Sequence, residues 1–306
     1  MNSLISRAYS ADAALAKIID LLRVARPADR VSDYPGATDL REMLCQPELQ
    51  ANTRLWFDQQ DQLVAFALVD RYHNLLFDYH PRATSHELEE AIMQWGVACL
   101  KRTPQTDTEE LSLDAVCRED DAERVAWLIR HDFHPQSLRT LRFIRSLGES
   151  IPDPQLPAGF FIRSVTGPAE LDALVALHRA AFGTDNMTVE ERRAMISGPD
   201  YRRELDLVAV APNDQLAGFC VCCIAVEENA ATGRSEGYTD PIGVHPDFQR
   251  QGLARALLLT GLKLLHECGL AYAALGTSSE NVAMQAAARS AGFQLESTKV
   301  WFAKSL

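Results

Sequence analysis

Val244-His245-Pro246-Asp247-Phe248-Gln249-Arg250-Gln251-Gly252-Leu253-Ala254-Arg255 reads as the end of a strand, a tight turn and the start of a helix. Ahead of the turn, Pro241-Ile242-Gly243-Val244 is short and apolar, as a buried strand end is. Behind it, Leu253, Ala256, Leu257, Thr260, Leu264 and Leu265 recur at helical spacing. The first turn of a helix has unpaired N–H groups and the positive end of the dipole. An anion binds there when no bulky or acidic side chain blocks the backbone. Gly252 has no side chain, Ala254 has one methyl, and Arg250 and Arg255 add positive charge. A pyrophosphate fits such a turn, and turn chemistry alone leaves an ordinary strand-to-helix connection open as the alternative. Two phosphate motifs are excluded. A P-loop needs Lys and Ser or Thr after its glycine, where Leu253 and Ala254 stand. A dinucleotide fingerprint needs three spaced glycines, and Gly252 is the single one here.

The pattern Gln249-x-x-Gly252-x-Ala254, preceded by Val244-His245-Pro246, resembles the acetyl-CoA signature of the GNAT N-acetyltransferases. A second segment, from Asn281 to Gly292-Phe293, resembles the family's later helix, which starts near an Asn and ends in Gly-Phe. Both occur in the family's order, with a strand-like stretch over 271–276 between them, and the resemblance spans about residues 160–306. It implies an α/β fold with a mixed sheet splayed near its middle and pantetheine in the opening. The cofactor residues it implies are Ile242, Gly243 and Val244 on the pantetheine, with Gln249, Arg250, Gln251, Gly252, Leu253, Ala254, Arg255 and Asn281 around the phosphates.

At 306 residues, two domains are expected, and 47% apolar residues supply a sizeable core. No run of about 18 apolar residues exists, so no membrane helix is expected. Residues 1–26 carry Asp12, Lys17 and Asp20 among apolar positions and read as an amphipathic helix instead of a signal peptide. The seven cysteines lack paired metal spacing, and Cys220, Cys222 and Cys223 sit in an apolar run as buried free thiols. A reduced, cytoplasmic protein without a metal follows. The net charge of −12 argues against nucleic acid as a partner and is compatible with a cationic or amine acceptor.

Residues 149–159, with three prolines in the run from Gly148 to Gly159, read as a linker between domains over 1–148 and 160–306. The two halves repeat each other. An offset of 165 carries His80-Pro81 to His245-Pro246, Leu88 to Leu253, Ala91 to Ala256 and Gly96 to Gly261. An offset of 160 carries Asp121 to Asn281 and Phe133 to Phe293, and Asp61-Gln62-Leu63 recurs as Asp214-Gln215-Leu216. Several matches in one order, with apolar periodicity kept, make a tandem repeat. In plan the chain resembles tandem GNAT proteins of the mycothiol synthase type, with one working and one degraded half. Glu87 stands at the counterpart of Gly252 and Glu89 at that of Ala254. Two carboxylates there suit the helix dipole themselves and repel a phosphate, so the N-terminal half is expected to keep the fold without the cofactor.

In the second half, strands are expected over 160–165, 205–210, 216–226, 237–244, 271–275 and 297–303. Helices are expected over 168–182, 188–197, 252–267 and 280–290, with Thr188 as N-cap and Glu191 completing a capping box. Glu236, Tyr238 and Asp240 alternate ahead of the turn and share a face if the strand is regular; Pro241 bears on that register. They are the candidate proton-transfer groups, and a solvated strand edge is the other reading of the two carboxylates. Asp240 lies nearer the turn. The family resemblance implies an oxyanion donor at the Val244 amide and a tyrosine acid at the position held by Ala288, which cannot donate; its counterpart Leu128 cannot either. His80, His245, His131, His134 and the four tryptophans read as structural.

The expected activity is acetyl transfer from acetyl-CoA directly to the amine of a small molecule, by a monomer or homodimer. The alternative is a CoA-binding sensor or interaction module with little turnover, which Ala288 keeps open. Acceptor contacts are expected from residues 183–199, where Asp185, Glu190 and Glu191 attract a cation or serve a helix start.

Overall fold

In a computed structural model the chain divides into two compact units, one of residues 1–139, 230–232 and 299–306, the other of residues 140–229 and 233–298. The structure describes residues 4–10, 12–27, 30–31, 33–102, 111–198 and 201–306. Where the sequence predicts one amphipathic helix over 1–26, a short strand, β1 (Ile5–Ala8), precedes helix α1 (Asp12–Ala25); residues 1–3 and Ala11 lie outside the described residues. Helices α2 (Ala37–Leu44) and α3 (Pro47–Ala51) then lead into β2 (Thr53–Phe57), β3 (Leu63–Val69) and β4 (Leu75–Tyr79). These strands form an antiparallel sheet in the order β1-β2-β3-β4.

The middle strand shows why both faces of this sheet are covered. Phe66 and Leu68 of β3 enter one core with Ile18, Leu22 and Leu40, under α1 and α2. Ala65, Ala67 and Val69 alternate to the other face and pack with Leu88 and Ile92 of α4 (His86–Leu100) and Trp127 of α5 (Ala122–Arg130). Strand β5 (Ser112–Arg118) lies between those helices in sequence and pairs with residues 299–305, so the first unit takes its last strand from the C-terminal end of the chain.

Strand β6 (His134–Ser146) ends the first half, and residues 149–159 run on without helix or strand. In the second unit, β7 (Phe161–Ser164), α6 (Leu171–Phe182), α7 (Val189–Ile196), β8 (Asp206–Val210) and β9 (Leu216–Val221) follow. Thr188 and Glu191 form the capping box that the sequence predicts, with N–H to oxygen distances of 3.1 and 2.8 Å. The strand expected over 216–226 stops at Val221. From Val226 to Thr232 the chain is helix α8, because Glu and Ala favour a helix and Gly233 ends it at φ 68°. Then come β10 (Glu236–Tyr238), β11 (Ile242–Val244), α9 (Leu253–Glu267), β12 (Tyr272–Ser278), α10 (Val282–Ser290) and β13 (Gln294–Ser305). One sheet has the order β11-β9-β8-β7, and β12 pairs with β10 on one side and with residues 140–146 of β6 on the other.

The repeat read from the sequence recurs in local geometry. Asp121 and Asn281 each cap a helix by accepting an N–H three residues on, at 3.1 and 3.0 Å. His80 and His245 each accept an N–H two residues on through Nδ1, both at 3.2 Å, which fixes the His-Pro turn and accounts for both histidines. Gly96 and Gly261 both mark close helix-to-sheet contact. A Cβ would stand 2.9 Å from Leu113 at Gly96 and 2.6 Å from the Cys222 sulfur at Gly261. Gly261→Val should therefore overpack this core and cost about 1–3 kcal/mol, read as a lower urea midpoint with the slope unchanged.

Candidate functional site

The site begins where one strand changes partners. Glu236, Gly237 and Tyr238 run parallel to Tyr272, Ala273 and Ala274, and the Thr239 amide donates to the Ala274 carbonyl at 2.9 Å. Beyond that point the two strands part, and β11 pairs with β9 alone. On the β9 side, Tyr238 exchanges both hydrogen bonds with Cys223, and Pro241 accepts from Val221. Two residues' advance on one strand thus faces three on the other, which is a β-bulge at Thr239–Asp240. The regular strand expected over 237–244 is interrupted there. The alternation that would put Glu236, Tyr238 and Asp240 on one face breaks after Tyr238.

The bulge decides which amides face the opening. Past it, Pro241, Gly243 and His245 are the residues bonded across to β9, with His245 donating to Ala217 at 2.9 Å. By the antiparallel alternation the amides of Ile242 and Val244 then point away from β9, toward the gap left by β12. The Val244 carbonyl accepts from the Gln249 side chain at 3.3 Å, so Gln249 steadies the turn. Gly243 is needed for packing, since a Cβ would meet Ala181 and Phe219 at 2.8 Å.

The turn into α9 is open. Gly252 is the N-cap at φ 83°, a left-handed conformation that favours glycine, and a Cβ there would meet nothing within 4 Å. No side chain caps α9 and its first turn holds no acid, so Leu253, Ala254 and Arg255 present their amides. Helix α4 is the built-in contrast. Ser85 caps it by accepting from the Leu88 amide at 3.2 Å, and Glu87 and Glu89 fill its first turn. Of the other expected cofactor residues, Arg250 sits at φ 60° within the turn, and Arg255 donates to the Ser290 carbonyl at 3.2 Å. The Asn281 side chain is engaged as the cap of α10.

The three proton-transfer candidates have different surroundings. Glu236 is 3% exposed and ion-paired with Arg142 and Arg234, and Arg142 also reaches Glu296. These partners occupy its carboxylate. Tyr238 lies under the Arg142 guanidinium and donates to Glu228 at 3.4 Å; burial chiefly raises its pKa well above the ordinary value. Asp240 lies in the bulge, and its Oδ2 accepts from the Gly276 amide at 3.1 Å. That amide is the one the parallel ladder would next have paired with β10, so the Asp240 carboxylate stands at the mouth of the opening. Ala288 is fully buried in the core of this unit.

On the α6–α7 side, His178 stacks on Phe219 with centroids 5.4 Å apart, and burial together with Arg192 lowers its pKa. It is therefore neutral at pH 7. The sequence offered no signal for it, since a single His within an apolar helix face is read as core. Arg179 of α6 donates to the Met187 carbonyl at 2.8 Å, in the segment that leads to α7. Glu191 is spent on the capping box, and Pro199 lies outside the described residues. Among the described residues no group of three or more His, Cys, Asp or Glu could hold a metal ion, and no helix is long and apolar enough to cross a membrane.

Residues 171–293 match the Acetyltransferase (GNAT) family. Over this stretch the chain is similar to the GNAT acetyltransferases. Mycothiol acetyltransferase of Segniliparus rotundus is 26% identical over 202 residues, covering 60% of this chain and 76% of that one. Mycothiol acetyltransferase of Nocardia farcinica is 32% identical over 158 residues, covering 48% and 50%. The match spans about half the length of several of these curated relatives. Among solved structures, a GCN5-related N-acetyltransferase from Sphaerobacter thermophilus aligns with a TM-score of 0.73 at 20% identity, over 99% of this chain and 95% of that one. A tandem GNAT protein from the clavulanic acid biosynthesis pathway gives 0.72 at 16%, over 100% and 98%. At these identities the likeness is one of fold, and it extends over both halves of the chain.

The Tyr238 phenol should remain protonated through and beyond its ordinary pKa of 10.0. The neutral form adds stability that is present below that value and lost as the pH rises through the raised one. An ultraviolet difference titration of wild type against Tyr238→Phe checks this: the phenol that the variant lacks should be among the last to ionise.

Proposed function

We propose that this chain transfers an acetyl group from acetyl-CoA directly to the amine of a small molecule, using the second half as the working site. The observation that carries this reading is the open N-terminus of α9 at Gly252, set against the capped and acidic start of α4. Backbone amides from Arg250 to Arg255 would hold the pyrophosphate, and Ile242, Gly243 and Val244 main chain the pantetheine arm. Bound acetyl-CoA supplies the acetyl group activated as a thioester. The Val244 amide faces the opening and is the donor for a carbonyl oxygen that gains negative charge there. Asp240 takes the proton that an acceptor ammonium must lose, directly or through one water. Glu236, held by two arginines, orders the strand and leaves the proton transfer to Asp240. Tyr238, kept neutral, can donate a proton but cannot serve as the base.

The N-terminal half keeps the same fold and, with Ser85, Glu87 and Glu89 at the start of α4, refuses the cofactor. The amine acceptor enters against α6 and α7, in a reduced cytoplasmic setting where all seven thiols remain free. A second reading, CoA binding without turnover, is favoured by one observation: Ala288 is buried and carries no proton.

Calorimetry and thermal unfolding with acetyl-CoA test the site. Wild type at 100 times the dissociation constant should gain ~2.7 kcal/mol. Gly252→Glu should lose that gain, whereas Gly252→Ala should keep it at a strain of about 1–2 kcal/mol from the left-handed backbone. Binding that survives Gly252→Glu would overturn the assignment. Thiol release in the presence of an amine library separates the two readings, and Asp240→Asn should lower kcat by about 10²–10⁴ if transfer occurs.

A further inference from the structure

Helix α6 lies against one face of the sheet β11-β9-β8-β7 and α9 against the other. Along β9, Phe219 and Val221 pack with Leu174 and Leu177 of α6, whereas Ala217 and Cys220 alternate toward Leu257 and Leu262 of α9. The C-terminal end of α6 reaches the cleft strand. A Cβ on Gly243 would stand 2.8 Å from both Ala181 and the Phe219 ring, so this end of the helix sits on the strand that carries the Ile242 and Val244 amides. Gly183 then ends α6 at φ 66°.

Three rings gather there. The centroids of Phe182 and His178 are 4.7 Å apart, those of His178 and Phe219 5.4 Å, and those of Phe182 and Phe219 6.2 Å, all within the range of aromatic pairs. Phe219 is buried, and Phe182 is 47% exposed. A single exposed apolar side chain is ordinary. This one continues a buried aromatic cluster out to the edge of the cleft. A narrow cavity lined by Leu174, His178, Met187, Met195, Phe219 and Pro241 runs beside the rings as far as the residue after Asp240. Its volume of about 10 Å³ takes no more than a water, so a larger group lies over the rings and not among them.

The charged groups next to the rings are already engaged. Arg192 is paired with Asp206, which also accepts from the Tyr201 hydroxyl at 2.8 Å. Glu191 completes the capping box, and Asp185 and Glu190 are turned to water. Among the described residues no hydrogen bond reaches the His178 ring. The wall therefore offers carbon and one neutral imidazole, which leaves an approaching ammonium unopposed.

We propose that the acceptor is an amine with an aromatic body, its ring on Phe182 and His178 and its nitrogen directed to Asp240. This rests on the acetyl-transfer reading above. A flat ring gains from covering Phe182 and from edge or offset contact with the cluster. An amino sugar would give up water at several hydroxyls with one imidazole to replace it. The acceptor ammonium loses one proton to Asp240. Its nitrogen then forms the C–N bond to the acetyl carbon as the thioester C–S bond breaks, and a second proton passes to the leaving thiolate.

Calorimetry with acetyl-CoA, followed by thiol release with 2-phenylethylamine, ethanolamine and glucosamine, tests this in wild type, Phe182→Ser and Phe182→Tyr. The expected result is a kcat/KM at least tenfold higher for 2-phenylethylamine than for either polar amine. Phe182→Ser should raise the KM for 2-phenylethylamine at least fivefold with acetyl-CoA affinity unchanged, and Phe182→Tyr should restore it. If acetyl-CoA binds but 2-phenylethylamine is turned over no better than ethanolamine, or its KM is unmoved in Phe182→Ser, the aromatic acceptor is overturned and the cofactor site stands. A fall in acetyl-CoA affinity in Phe182→Ser would mark the ring as structural and overturn the proposal too. Absence of acetyl-CoA binding in wild type would overturn the transfer reading, and this inference with it.

Discussion

Between Tyr238 and Pro241 the chain carries one residue more than the strand opposite, and the geometry of the second half follows from that surplus. A parallel ladder holds β10 to β12 only as far as Thr239. The extra residue then turns the backbone by one position, so that Gly243 faces β9 and the Ile242 and Val244 amides face the gap. A single displaced residue thereby opens a cleft in the sheet while β11 keeps its pairing with β9. The Asp240 carboxylate takes the Gly276 amide that the ladder has abandoned and sets an acid at the cleft mouth, while the Ile242 and Val244 amides stay open to the gap.

The two halves share a framework and differ at their helix starts. Equivalent helices have equivalent caps at Asp121 and Asn281, and equivalent turns at His80 and His245. Their helix starts differ: α9 begins on a bare glycine and α4 on a serine that satisfies the helix itself. A helix terminus has a fixed number of unpaired amides, so a side chain that takes one removes it from any ligand. Charge follows the same division. The first half gathers buried ion pairs around Asp78, and the second keeps its ion pairs on Glu236, away from the glycine turn.

Much of this was legible along the chain, because the signals are local. Helix caps, the His-Pro turns, the glycine turn and the apolar spacing of α9 each depend on residues within a few positions of one another. The capping box of Thr188 and Glu191 is such a case. Helix α8 was legible in principle from its Glu and Ala residues and the closing Gly233, but the apolar run before it reads as one continuing strand. The bulge left only Pro241 as a hint, since an extra residue is defined by the strand opposite.

By itself the sequence determined the tandem α/β plan, the helix starts and the residues around Gly252, for these rest on steric and hydrogen-bonding preferences of neighbouring residues. Only the tertiary structure decided that Arg142, 94 residues away in sequence, occupies Glu236, and that Asp240 stands apart from Tyr238 at the opening. It also decided that residues 140–146 join the second unit and 299–306 the first. Such pairings are chosen by which distant backbone and charged groups meet once water is excluded, and no short stretch of chain contains both partners.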